Sequence, residues 1–201
     1  MKNRVGVINL IMFLLLQVVI QNEVHAQEAW RLVKDKNGIQ VYVASVRGSK
    51  YVAFKAIMSV QASQATVIKL LKDVENYPNW FAFTASAKLI DLEANELTFF
   101  METDYPWPYA NEGMNYQMKF EEKRIGNLKI RITGSNRNMF IKNMLKMARG
   151  YILLENFGES ILITYMFHCE PSQKIPAWLV NASIDEMPYK TFSAMRNILS
   201  K

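Results

Sequence analysis

From Ala87 to Glu170 the chain reads as one strand-like segment after another, and this antiparallel run constrains the architecture more than any other feature. Lys88 to Leu92 and Glu96 to Thr103 flank Glu93-Ala94-Asn95, a hairpin turn. Met114 to Lys123 follows, and Arg124-Ile125-Gly126-Asn127 turns the chain into Leu128 to Thr133. An irregular or briefly helical stretch from Gly134 to Lys146 precedes Met147 to Asn156, the turn Phe157-Gly158-Glu159, and Ser160 to Glu170. Within the strand after residue 113, Met114, Tyr116, Met118 and Phe120 share one face and are predicted inward. Asn115, Gln117, Lys119 and Glu121 share the other.

Helices flank this run. Ile39 to Arg47 alternates with Ile39, Val41 and Val43 on one side, Arg47-Gly48-Ser49-Lys50 turns, and Tyr51 to Val60 is a second strand. Ser63 then caps a helix reaching about Glu75, with Val67, Leu70, Leu71 and Val74 at helical spacing. Asn76-Tyr77-Pro78-Asn79 ends it, and Trp80-Phe81-Ala82-Phe83 is a short apolar piece. The last helix opens at Pro176, where a missing N–H costs nothing, and is predicted to run to about Leu199. Its apolar stripe is Ile184, Met187, Phe192, Met195, Ile198 and Leu199, opposite Asp185, Lys190, Arg196 and Asn197. Pro188 inside it predicts a kink costing roughly 3 kcal/mol. Strands, a helix, many strands and one long terminal helix define an α+β chain.

The N-terminus supplies an address. Met1-Lys2-Asn3-Arg4 is basic, Val5 to Ile20 is apolar but too short to span a bilayer, and Val24-His25-Ala26 reads as a signal-peptidase site. Residues 1–26 are thus expected to be a signal peptide and 27–201 one domain of about 175 residues, exported to the periplasm or secreted. Loss of Lys2, Arg4 and Glu23 takes the net charge from +6 to +5. In an exported chain that excess suits transient contact with an anionic membrane and not nucleic acid, the one local concentration being Arg137, Lys142, Lys146 and Arg149. Cys169 is the only cysteine, so no internal disulfide forms, and the expected role is a small buried residue in a monomer. There is no Gly-x-Ser-x-Gly elbow, no His-Glu-x-x-His and no glycine-rich phosphate loop, and His168 is the single mature histidine. No cofactor or metal is expected.

Two prolines around Trp107 in Tyr105-Pro106-Trp107-Pro108-Tyr109-Ala110-Asn111-Glu112-Gly113 cannot continue a central strand, so this stretch is a loop with a large apolar tip. Read together with Trp30, Lys36-Asn37-Gly38-Ile39-Gln40-Val41-Tyr42, Leu71-Lys72-Asp73-Val74-Glu75-Asn76-Tyr77-Pro78-Asn79-Trp80 and Lys174-Ile175-Pro176-Ala177-Trp178-Leu179-Val180-Asn181, it resembles the START family of lipid-transfer domains, part of the helix-grip superfamily. The resemblance runs from Trp30 to Leu199. It implies a curved antiparallel sheet wrapped around the long C-terminal helix, with an internal apolar cavity. It further implies one hydrophobic ligand, a lipid, a sterol-like molecule or another apolar metabolite, carried or presented in the cell envelope. The candidate cavity residues are Phe99, Met101, Glu102, Tyr116, Met118, Arg131, Met166, His168, Ile184, Met187 and Met195, and the candidate gates are Trp107 and Pro188. Glu102 stands where several START cavities hold an acid, and Arg131 is the candidate for the arginine opposite it, although Met118 occupies the matching strand position. The sequence also departs at Glu112-Gly113, where the eukaryotic pattern has arginine followed by aspartate. Helix-grip relatives include polyketide cyclases and aromatases, so an enzyme using Glu102, Tyr116 or His168 is the alternative. A ligand-free interaction module is a third.

Overall fold

A computed structural model describes residues 29–123, 126–135 and 143–200 of the 201-residue chain. The predicted signal peptide, Arg137 and Lys142 lie outside the described residues. Nine strands form one antiparallel sheet: β1 (Arg31–Lys36), β2 (Ile39–Ser45), β3 (Val52–Val60), β4 (Thr84–Leu92), β5 (Glu96–Thr103), β6 (Glu112–Glu122), β7 (Leu128–Ser135), β8 (Met147–Phe157) and β9 (Ser160–Glu170). Their spatial order is β1-β2-β3-β9-β8-β7-β6-β5-β4. The chain leaves β3 through α1 (Gln64–Lys72) and a 3₁₀ segment (Val74–Asn79) and crosses to the far edge at β4. It then returns strand by strand until β9 pairs with β3. Two helices, α2 (Ala177–Ala182) and α3 (Glu186–Leu199), complete the helix-grip α+β fold.

The local reasons are legible. Ser63 caps α1, its Oγ accepting from Thr66 N at 3.1 Å. The helix stops at Lys72, short of Glu75, because the chain tightens into the 3₁₀ segment that carries Pro78. Tyr77 in that segment is fully buried, its ring 5.3 Å from Trp80, 5.5 Å from Phe81 and 5.6 Å from Phe99. β1 was not expected: no residue of it is buried, so no alternation marks it. It exists as an edge strand because Asn37 and Gly38, both at positive φ, fold it back on β2.

The long terminal helix is two helices. The chain turns at Ser183–Asp185, and Pro188 falls in the first turn of α3, where an absent N–H has no partner to lose. The expected kink at Pro188 therefore does not arise. α3 buries Phe192 and Met195 and packs on β2 and β3. Its ends are fixed to the β1–β2 hairpin, Lys34 bonding Asp185 (2.8 Å) and Glu186, and Arg196 donating to the carbonyls of Asn37 and Gly38. Both carboxylates raise the Lys34 pKa above its ordinary value.

Candidate functional site

Between the sheet and the C-terminal helices lies a cavity of about 370 Å³. Phe81, Ala82, Phe83 and Thr84 close one side, Met101 and Thr103 of β5 and Tyr116 of β6 another, and Tyr165, Phe167 and Cys169 of β9 form the floor. The loop after β5 contributes Asp104, Tyr105, Pro106 and Tyr109. The roof is Ile175, Leu179 and Val180, then Ser183, Ile184 and Met187 around the helix break. Aromatic and aliphatic groups dominate, as in sites that enclose apolar ligands.

Met101, Tyr116, Ile184 and Met187, four of the residues singled out from sequence, stand on this wall. Phe99 and Met118 lie just beneath it, around a small adjoining void shared with Tyr77 and Ile132. Met195 is buried in the core of α3 and does not reach the wall. The remaining four belong to the other face of the sheet, since side chains alternate along a strand. Glu102 faces away from the cavity, accepting from Ser86 Oγ at 3.0 Å, and Arg131 is clamped by Glu121 at 3.1 and 3.2 Å, which lowers the Glu121 pKa. A Glu102–Arg131 pair, left open by the sequence, is absent among the described hydrogen bonds and ion pairs. Met166 and His168 lie opposite Tyr165, Phe167 and Cys169. His168 is buried there with Nδ1 3.5 Å from the Val52 carbonyl and Nε2 3.7 Å from Glu170 Oε1.

Sequence reasoning missed the group that organises the cavity mouth. Glu112, 0 % exposed, accepts from Ser172 N at 3.0 Å, Ser172 Oγ at 2.7 Å and Gln173 N at 3.0 Å. Gln173 in turn exchanges two hydrogen bonds with the backbone of Ala110, at 2.7 and 3.0 Å. The base of the Pro-Trp-Pro loop and the segment leading into α2 are thus joined through one buried carboxylate. The next residue is a glycine on which the Phe100 ring rests: a Cβ at Gly113 would stand 2.4 Å from Phe100 Cε2, so a larger residue there requires that ring to move. The departure at Glu112-Gly113 is therefore a local structural solution, a helix-entry anchor beside a close ring contact.

Beyond that base the loop tip is free. Trp107 is 93 % exposed and does not touch the cavity, whereas Tyr105, Pro106 and Tyr109 do. Trp178 on α2 is 72 % exposed. Cys169 turns its thiol to the cavity, and burial pushes its pKa up to about 12. Among the described residues no cluster of three His, Cys, Asp or Glu is placed to hold a metal ion.

No family model matches the chain. An uncharacterized protein of Pseudomonas aeruginosa is 28% identical over 179 residues, covering 87% of this chain and 88% of that protein. Among solved structures, a STAR-related lipid transfer protein from Xanthomonas axonopodis superposes with a TM-score of 0.81 at 28% identity, covering 86% of this chain and 99% of that one. Human STARD10 gives a TM-score of 0.69 at 20% identity, covering 84% and 71% respectively. Sheet order, C-terminal helices and the cavity between them define a helix-grip domain. Within that class the chain has the fold of the START lipid-transfer domains it is similar to, with a cavity that fits binding of a hydrophobic ligand.

Proposed function

We propose that this domain encloses one hydrophobic molecule beneath α2 and α3 and carries it within the cell envelope, or presents it there to a membrane or partner. The observation that supports this reading is the cavity, because an ordinary core fills such space with side chains. Each methylene moved from water into it is worth about 0.8 kcal/mol, so a hydrocarbon body is held without any catalytic group. At about 370 Å³ the cavity is at the low end for small-molecule sites, which favours a single chain or ring system. Native mass spectrometry of the purified protein is expected to show one co-purifying apolar molecule per chain, released on unfolding. Preparations that match the polypeptide mass and take up no apolar fluorescent probe would remove the reading.

Export belongs to the same proposal. The mature chain then begins at Gln27, is monomeric and is released by osmotic shock. Recovery only in detergent, with Met1 onward intact, contradicts it. Ligand exchange needs an approach to a bilayer, and Trp107 and Trp178 are the exposed indoles beside the mouth. Trp107→Ala is expected to slow uptake from anionic vesicles several-fold while leaving equilibrium affinity unchanged, because the side chain lies outside the wall. Equal uptake rates for the two proteins would exclude the loop as the contact.

A further inference from the structure

Buried tyrosine hydroxyls in this chain fall into two groups. Tyr51 donates to the Ile175 carbonyl at 2.9 Å and Tyr77 to the Leu71 carbonyl, so both are satisfied within the fold. No hydrogen bond among the described residues runs through the Tyr105, Tyr116 or Tyr165 hydroxyl; although Tyr116 is 2 % and Tyr165 4 % exposed, these oxygens open onto the cavity and are not sealed in the core. All three line the cavity. A phenol that faces an apolar cavity is satisfied by an acceptor inside it, because a ligand that fills the space displaces the water its O–H would otherwise use. These three come from separate parts of the chain: the loop after β5, β6 and β9. The Phe167 ring lies between Tyr116 and Tyr165, with centroids 6.2 and 5.9 Å away.

The charges nearby are accounted for. Glu112 is taken up by Ser172 and Gln173, Asp104 is exposed at the rim, and among the described residues no lysine or arginine lines the cavity. Burial raises the pKa of all three phenols and of Cys169, so each is a neutral donor at physiological pH. Neutral donors in apolar surroundings satisfy an oxygen acceptor. They leave a full ionic charge without a counter-charge, which costs several kcal/mol in such a site.

We infer that Tyr105, Tyr116 and Tyr165 form the polar end of the ligand site and receive an uncharged oxygen group, a ketone, ester, ether or hydroxyl, on an otherwise hydrocarbon ligand. This rests on the cavity-binding reading above and narrows the ligand class.

The test is displacement of the neutral probe phenylnaphthylamine from the mature protein by a matched series: dodecanone, dodecanol, dodecane, dodecanoate and dodecyltrimethylammonium. Dodecanone and dodecanol are expected to bind about tenfold more tightly than the other three. In a Tyr116→Phe/Tyr165→Phe double variant, dodecanone affinity falls about tenfold towards that of dodecane, which itself is unchanged. The thermal midpoint of the ligand-free variant stays level or rises, since the hydroxyls contribute no internal bond. Tyr105→Phe alone gives a smaller loss in the same direction. Strongest binding of dodecanoate or the quaternary amine, an unaltered dodecanone preference in the double variant, or a lowered midpoint overturns the inference while leaving the cavity in place. Failure of phenylnaphthylamine and every competitor to bind the wild-type protein overturns the cavity-binding reading itself.

Discussion

Glu112→Leu is expected to destabilise the domain by about 3 kcal/mol, because hydrogen bonds to a carboxylate are stronger than neutral ones and three donors lose their acceptor together. For a domain of this size that corresponds to a fall of roughly 6–12 °C in thermal midpoint. Glu112→Gln keeps one acceptor oxygen and is expected to fall between the two. The loss is local in origin: hydrogen exchange over residues 171–176 should accelerate more than over β8 or β9. Melting of Glu112→Leu within the error of the parent, with unchanged exchange in that segment, would refute the anchor.

Filling the cavity should weaken binding strongly without harming the fold. Met187→Trp places an indole where Met187 and Ile184 now border open space. Displacing three or four methylenes of ligand at about 0.8 kcal/mol each lowers affinity by roughly a hundredfold. Apo stability is expected to hold or rise by about 0.5–2 kcal/mol, the usual gain from filling a void. Loss of ligand together with loss of biological output identifies the cavity as the working part. Full output from a protein that binds nothing would identify an interaction module instead.

The succession of strands from β2 to β9 along the chain was legible because turns and alternation are local signals. Glu96–Thr103 and Ser160–Glu170 begin and end where the sequence places them. The cavity wall was harder. β9 is apolar on both faces, so alternation alone did not choose between Tyr165-Phe167-Cys169 and Met166-His168, and a shift of one residue turns every side chain over. The same rule separates Glu102 from Met101, which cannot both point inward from one regular strand. The helix break was hidden because the apolar stripe resumes at Ile184 with the correct period. Its signature was Pro188 two residues inside an acidic start at Asp185-Glu186, the pattern of a helix N-terminus. Glu112 could not be read at all: its partners are two backbone amides and a hydroxyl sixty residues away, and backbone donors leave no mark on sequence.

The break between α2 and α3 has a kinetic consequence. No residue of α2 is fully buried, and Asn181 ties it by side-chain bonds to the backbone at Lys50 and Val52. α3 by contrast buries Phe192 and Met195 and is bonded at both ends to the β1–β2 hairpin. Opening of α2 is therefore a local event of small free energy, and unfolding of α3 belongs to the global transition. A substitution that strengthens α3 or the sheet lengthens the life of the whole molecule and leaves the frequency of α2 opening untouched. Heat resistance and the frequency of α2 opening are independent quantities in this domain, each adjustable without the other.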